Sequence, residues 1–402
     1  MKQQLLFALA QEYASFYLYE ETTLSQRAGR LRRDLPGAEL LYSVKCNPAP
    51  AVLRTLFARG FEADAASLEE VKLAARLGLV PHEIYYSAPG KSQADLAAAL
   101  ALSTVVADSL GEVDRIQAIA KRMDKRVSIG LRLNPDYSFG GGEGAPSKFG
   151  VDELQALEAL AQEGRWPNVR VTGLHVHLRS QELRAPVLCE YYEALLALAL
   201  RFQTLLGRSL DFLNLGSGLG IPYAPEDAEL DTAALGETLQ ALKTRLPQTR
   251  LLLETGRYVA GPSGVYVTRV MDKKVSRGET FVILNATLNG FLRPCLARMA
   301  EGYSPHPAPC EPLFTCTEPF RLLALSAAAE TETVTLVGSL CTAADVIARD
   351  VTLPRLEVGD AVALTHAGSY GATLSPTLFS SQVPPAQLFL TQEGQVEDAT
   401  LL

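Results

Sequence analysis

Short apolar runs and longer amphipathic stretches take turns along the first two-thirds of this chain. The short runs are LLYSVK (40–45), FEAD (61–64), EIYYS (83–87), TVVAD (104–108), SIGLRL (128–133), VTGLHVHL (171–178), FLNLG (212–216) and RLLLET (250–255). Rich in leucine, β-branched and aromatic residues, they have the composition of parallel strands buried on both faces. The stretches between them, such as AVLRTLFARG, LEEVKLAARLG, QADLAAALA and EVDRIQAIAKRM, place apolar residues at helical spacing. Several end in glycine, a helix stop. Eight strand–helix units in about 240 residues match the size of a (β/α)8 barrel. An open doubly wound sheet is the alternative and fits the count less well.

After Gly261 the texture changes. SGVYVTRVMDKKV, TFVILN, RLLALSAA, ETVTLVG, DVIARDVTLP and DAVALTHAG read as strands separated by Gly, Pro, Asp and Ser, with no long helical pattern among them. They predict a second, mainly antiparallel β domain, which the strand FYLYE (16–20) returns to join. The expected division is an α/β barrel over 25–265 and a β domain over 266–402 that includes residues 1–24. Met299 to Pro319 holds several prolines and reads as loop, and the polar tail from Thr391 reads as frayed chain.

Composition narrows the function classes. The chain has 402 residues, 48% of them apolar and 20% charged, enough for a large core and two domains. A net charge of −8 argues against nucleic acid or an anionic membrane as partner. No apolar stretch approaches the ~18 residues a membrane span needs, and the start MKQQLLFALAQEYAS turns polar too soon for a signal peptide. A soluble, cytoplasmic protein is expected. The six cysteines form no CxxC pair and read as reduced thiols, and no fixed-period repeat is visible. No metal site is expected: His175 and His177 share a strand face but lack a third ligand.

In a barrel of this kind the active site is built at the carboxyl ends of the strands. Those ends are Lys45, Asp64, Ser87, Asp108, Arg132, His177, Gly216 and Glu254. Singly, each is ordinarily a helix cap or a solvated strand end. A lysine, a histidine, an arginine and a glutamate converging on one rim are harder to dismiss. The strongest local signal is LNLGSGLG (213–220), where Gly216, Gly218, Leu219 and Gly220 offer backbone N–H groups to an anion. A glycine cluster alone is as often a tight turn, but this one follows the seventh strand. Barrels hold phosphates between the loops after strands seven and eight, and Gly256 and Arg257 follow the eighth. A phosphate there and a lysine ending the first strand point to pyridoxal phosphate carried on Lys45. Burial would depress that lysine's pKa and suit it to the task.

The ordered motifs YSVKCNP, DAASLEEV, LRLNP, GLHVHLRSQ, LGSGLG, ETGR, LCTAADV and GSYGATLS resemble those of the ornithine/diaminopimelate decarboxylase family, fold type III pyridoxal-phosphate enzymes. The likeness runs from Tyr17 to Pro385. It implies an alanine-racemase-type barrel fused to a β domain, in a homodimer whose active sites are shared between subunits. Carried onto matching positions, it makes Lys45 the Schiff-base lysine, His177 the residue stacked on the pyridine ring and Glu254 the partner of the ring nitrogen. A carboxylate there raises the pKa of that nitrogen, and a cationic ring is the stronger electron sink. Ser180, the 216–220 glycines, Gly256, Arg257 and Tyr370 resemble the phosphate contacts. Asp64 and Arg132 would line the cofactor pocket, and Cys341 would enter from the partner subunit to reprotonate the carbanion.

The departures from the family pattern bear on the substrate. After the cysteine, members acting on basic amino acids carry an acid for the distal ammonium, and here Thr342 stands in that place. Arg179 replaces a glycine after the histidine motif, or is simply a surface residue, and Thr255 replaces a proline in ETGR. Arg293-Pro294 resembles the arginine with which diaminopimelate enzymes grip a distal carboxylate. The pairing of Cys341 and Thr342 with Asp345 is similar to the members that decarboxylate citryl-serine or citryl-diaminopropionate for carboxylate siderophores. The expected substrate is thus a small amino acid with an anionic far end, with Arg293, Arg179, Thr342 and Asp345 around it. Diaminopimelate is the alternative in the same chemistry. A non-catalytic pyridoxal-phosphate-binding protein is the alternative of another class. A racemase, which sets an arginine on the ring nitrogen, does not fit Glu254.

Overall fold

The computed structural model describes residues 3–216, 218–223, 226–303 and 320–400. The chain opens with helix α1 (Gln3–Glu12), strand β1 (Ser15–Glu20) and helix α2 (Glu21–Asp34). Strands and helices then alternate: β2 (Glu39–Ser43), α3 (Pro50–Phe57), β3 (Glu62–Ala65), α4 (Leu68–Arg76), β4 (Ile84–Tyr86), α5 (Gln93–Ala99), β5 (Thr104–Ala107), α6 (Leu110–Arg122) and β6 (Val127–Asn134). A two-residue strand β7 (Val151–Asp152) pairs only with the end of β6. After α7 (Glu153–Leu160) come β8 (Val169–His175), α8 (Ala185–Leu206), β9 (Phe212–Asn214), α9 (Thr232–Arg245), β10 (Arg250–Thr255) and the short α10 (Arg257–Ala260). Helices start where the sequence supplies a cap: Ser67, Ser92 and Ser109 each accept a backbone N–H of the first turn.

Eight parallel strands close on themselves in the order β5-β4-β3-β2-β10-β9-β8-β6, with β6 returning to β5. The predicted barrel is therefore present. Alternation along each strand sends every second side chain inward. Tyr85 on β4 meets Phe212 on β9 edge-on at 5.2 Å although these strands are not neighbours, so this contact crosses the interior. Leu41, Val106 and Leu252 complete that apolar layer. Phe212 is accommodated because Gly130 and Gly173 lie beneath it: a Cβ on Gly173 would stand 2.2 Å from the ring. Below this layer Arg250 binds Glu39, Glu62 and the Tyr85 hydroxyl, a charged plug at the amino ends of the strands.

The second sheet is built by β11 (Gly264–Ser276), β12 (Glu279–Leu284), β13 (Leu322–Leu325), β14 (Thr331–Gly338), β15 (Val346–Pro354), β16 (Ala361–Leu364), β17 (Ala386–Leu390) and β18 (Val396–Asp398). Most of its pairings are antiparallel; β1–β17 and β12–β14 are parallel. As expected, β1 joins this sheet, and it lies between β11 and β17. Two expectations are corrected. A helix, α11 (Leu292–Tyr303), interrupts the strands, so the region is not free of helix and Met299 to Tyr303 is not loop; the rest of that predicted loop lies outside the described residues. The tail from Thr391 is no frayed end, because β18 turns back onto β17 and the Ala399 N–H reaches the Gln387 carbonyl.

Burial in the barrel floor and the neighbouring Glu39 push the Glu62 carboxyl up to about 7, against the pull of Arg250. A carboxyl whose folded pKa exceeds its unfolded one stabilises most fully below the unfolded value, and the benefit is lost as pH rises through the folded value. Glu62→Gln, which keeps a neutral group there, should therefore gain stability relative to wild type between pH 5 and pH 8. Denaturant unfolding at both pH values checks this, and a pH-independent difference would contradict it.

Candidate active site

Around the barrel mouth β8, β9, β10, β2 and β3 are consecutive neighbours. After or at their carboxyl ends stand His177, the glycine loop, Glu254 with Arg257, Lys45 and Asp64, in that order. Strand order alone thus gathers residues up to 212 positions apart in sequence onto one arc, Lys45 to Arg257 being the widest such pair.

Lys45 sits on a single tight turn (Val44–Cys46) after β2, its side chain 43% exposed to the mouth. Its Nζ donates to Asp64 Oδ2 at 3.0 Å, and Asp64, fully buried, also accepts from the hydroxyls of Ser43 and Ser87, both at 2.9 Å. Desolvation pulls the lysine's pKa down, but the Asp64 carboxylate, with Glu254 and Tyr370 beyond it, more than reverses that, and the pKa is raised. The depressed value expected from the sequence is corrected. The counter-charge is 19 residues away in the chain and becomes a neighbour only through pairing of β2 with β3.

Glu254 is buried at the end of β10. Its Oε1 accepts from Asn214 Nδ2 at 3.0 Å and lies 3.1 Å from His175 Nε2, while Oε2 lies 3.8 Å from His177 Nδ1. Burial alone would raise the carboxyl's pKa; the His175, Lys45 and His177 side chains outweigh it and hold the group well below the usual carboxylate range. Burial pulls His177 down to about 3, helped by Arg132 and Lys45, so its ring is neutral at physiological pH. Its Nε2 stands 3.2 Å from Ser180 Oγ.

The glycine loop is stitched to the segment after β8. Glu182 N–H donates to the Gly218 carbonyl at 2.8 Å, Gly220 N–H to the Glu182 carbonyl at 3.0 Å, and the buried Leu219 bridges Glu182. Asn214 Oδ1 accepts from Gly216 N–H at 2.9 Å, joining this loop to the Glu254 cluster. Glycine is required at 216 on two counts, a φ of +68° and the Val176 carbonyl 2.4 Å from where a Cβ would stand. At 218 a Cβ would meet Leu188 at 2.4 Å. Arg179 lies on the stitched segment, 39% exposed, 4.0 Å from Glu182 and over the Phe139 ring at 5.5 Å.

Arg257 is buried behind Gly256, donates to the Tyr223 hydroxyl at 2.8 Å and faces the Tyr370 ring at 5.2 Å. Tyr370 is tied to the Lys45 turn, its N–H donating to the Cys46 carbonyl at 2.9 Å. Arg132 lies across the mouth on β6, 3.6 Å from Asp108 and stacked on Phe149 at 4.4 Å. Arg293, on α11, is fully buried between the rings of Tyr223 and Phe320. Cys341 and Thr342 are exposed on the turn between β14 and β15, away from this arc in sequence. Asp345, expected near the substrate, is enclosed within the turn itself. It is 2% exposed and its carboxylate accepts from Thr287 Oγ1, Leu288 N–H and Leu340 N–H, fixing the turn that carries Cys341. Sequence reasoning missed Ser43, Asn214 and Tyr223. The first two share the inward parity of Lys45 and Gly216, a signal that was readable.

These residues fit pyridoxal phosphate. An ionised, buried carboxylate suits a basic ring nitrogen, a neutral flat imidazole suits an aromatic face, and a buried guanidinium beside a close-packed glycine loop suits a phosphate. With the barrel and its β domain, this donor set defines the fold type III class of pyridoxal-phosphate enzymes. Residues 21–261 match the model for the pyridoxal-binding domain of pyridoxal-dependent decarboxylases, and the chain belongs to that family. It is a pyridoxal-phosphate-dependent amino-acid decarboxylase, a carboxy-lyase. It is 29% identical to an L-glutamyl-[BtrI acyl-carrier protein] decarboxylase of Niallia circulans, over 95% of this chain and 90% of the other. It is 30% identical to the diaminopimelate decarboxylase of Archaeoglobus fulgidus, over 89% and 84%. The Helicobacter pylori diaminopimelate decarboxylase complexed with L-lysine superposes with a TM-score of 0.82 at 25% identity, over 96% and 93% of the two chains.

Asp64→Asn removes the counter-charge from Lys45 and leaves the desolvation. The lysine pKa should fall, and the pH above which the apo-protein captures pyridoxal phosphate should move down with it. Stopped-flow absorbance followed from about pH 7 to about pH 12, a range that spans the ordinary lysine value of ~10.4, compares the two proteins; capture by the variant only at a higher pH than wild type would refute the assigned role of Asp64.

Proposed function

We propose that the substrate is an amino acid whose far end is anionic, citryl-serine or citryl-diaminopropionate, and that the reaction serves carboxylate siderophore assembly. The observation that carries this reading is the Cys341 turn. Thr342 is exposed where the family's basic-amino-acid decarboxylases present an acid, and the one nearby acid, Asp345, is consumed inside the turn. Among the described residues, a distal ammonium would find no free carboxylate on that turn. Arg179, accessible beside His177, and Arg293 supply guanidiniums suited to bidentate carboxylate binding. The Niallia circulans relative, named for a glutamyl group on a carrier protein, supports a substrate other than a free basic amino acid. Diaminopimelate, whose far end also bears a carboxylate, is the second reading, favoured by the diaminopimelate decarboxylases among the relatives.

Pyridoxal phosphate, when bound, supplies the electron sink that lets the bond from the α-carbon to its carboxylate break heterolytically. In our reading the chain's residues prepare that event. Lys45 would anchor the cofactor through its Nζ. Glu254, ionised throughout the physiological range, holds a proton on the pyridine nitrogen, and Asn214 keeps that carboxylate aimed. His177, neutral, offers its ring face. Ser180, the glycine loop, Gly256, Arg257 and Tyr370 hold the phosphate, with Asp64 and Arg132 lining the pocket. Cys341 returns a proton to the α-carbon across a homodimer interface, an arrangement supported by its exposure and by the exposed Leu378 and Val383 on the same domain.

Carbon-dioxide release measured over citryl-serine, citryl-diaminopropionate, meso-diaminopimelate, ornithine, lysine and arginine tests the reading. An unpaired distal cation in a partly desolvated pocket costs several kcal/mol, so kcat/KM for the three basic amino acids should be lower by on the order of a thousandfold or more. Efficient turnover of ornithine or lysine would overturn it. For the shared site, mixing Lys45→Ala with Cys341→Ala subunits should recover activity that neither parent has, because one site of each mixed dimer is whole. No recovery after proven subunit exchange would rule the shared site out.

A further inference from the structure

Tyr223 belongs to none of the motifs that marked the site, yet both buried arginines on this side of the mouth converge on it. Its hydroxyl oxygen accepts from Arg257 Nη1 at 2.8 Å and from Arg293 Nη1 at 3.2 Å. Two nitrogens so placed around one oxygen stand at most about 6 Å apart, close enough for their charges to repel strongly once water is excluded. A phenol oxygen can accept from both at once and offset part of that repulsion.

The tyrosine is itself held. It is 4% exposed, and its ring packs edge-on against Phe320 at 5.4 Å and beside His366 at 5.6 Å. Its N–H donates to Asp227 at 3.1 Å. Two residues earlier, Ile221 is clamped at both backbone groups by the Gln181 amide, which ties Tyr223's segment to the loop carrying Arg179 and Ser180. The hydroxyl is thus a fixed point on a braced segment.

We propose that Tyr223 is a positioning residue. Its hydroxyl sets Arg257 and Arg293 at a fixed separation, so that one unit grips the cofactor phosphate through Arg257 and the substrate's far carboxylate through Arg293. The proposal rests on the anionic-tail reading only for its second half. Arg257 serves the phosphate whatever the substrate, and loss of the phenol oxygen removes one hydrogen bond from each guanidinium at once. A residue that merely filled space would affect neither selectively, because phenylalanine fills the same space.

The test is Tyr223→Phe, which keeps the ring contacts. In apo-protein titrations followed by fluorescence quenching, the preference for pyridoxal phosphate over pyridoxal should fall about fivefold or more, the scale of one lost hydrogen bond. Unphosphorylated pyridoxal should bind as it does to wild type. In the holoenzyme, KM for whichever of meso-diaminopimelate and citryl-diaminopropionate is turned over should rise several times more than kcat falls. An unchanged phosphate preference in a variant that melts with wild type would overturn the proposal. If neither compound nor citryl-serine is a substrate, the anionic-tail reading fails while the titration still judges Tyr223. If the variant does not fold, a crystal structure of the loaded wild-type enzyme decides: both guanidiniums within hydrogen-bond reach of the Tyr223 oxygen support the proposal, and either one displaced from it refutes it.

Discussion

A closed barrel of eight strands has room inside for every second side chain of each strand, and that limit governs the whole molecule. The inward positions must fill the floor, the middle and the mouth in turn. On β10 they are Arg250, Leu252 and Glu254; on β2 they are Glu39 and Leu41, followed by Ser43 and Lys45. Charge closes the floor, apolar bulk around Phe212 closes the middle, and charge returns only where solvent and ligand can reach it. A shift of one residue in any strand would bring its outward row into the interior, so the chemistry and the core are set by the same parity.

Buried charge is costly, and the mouth carries several charged groups. Three carboxylates are met by partners from other segments of the rim: Asp64 by Lys45 and two serines, Glu254 by Asn214 and His175, Asp108 by the Gly150 N–H with Arg132 at 3.6 Å. The Lys91–Glu112 pair, fully buried behind the rim, extends the arrangement: Glu112 also accepts the Asp108 N–H. The three rim carboxylates are therefore hydrogen-bonded or ion-paired before any ligand enters the site.

The barrel was legible because eight apolar runs with amphipathic segments between them leave few other packings, and the second sheet because its strands are short and separated by turn residues. What escaped the sequence are effects that depend on partners across strands. The raised pKa of Lys45 is decided by Asp64, and the enclosure of Asp345 by Thr287 and two backbone N–H groups. Helix α11 was hidden because Pro294, tolerated in a first turn, reads in sequence as a breaker. The end strand β18 was hidden by its polarity, since its residues are exposed and only its backbone pairing holds it.

The first strand of the chain lies between β11 and β17, with Phe16 set against both Val267 and Ala386. During synthesis it leaves the ribosome well before either neighbour exists. At roughly 5–20 residues per second, the gap to β11 is on the order of ten seconds or more. The barrel has the time to close alone in that interval, while an apolar strand waits with both edges unpaired. Vectorial folding must shelter that segment, and α1, whose Leu6 and Leu9 pack in the same cluster as Phe16 and Leu18, emerges early enough to do so.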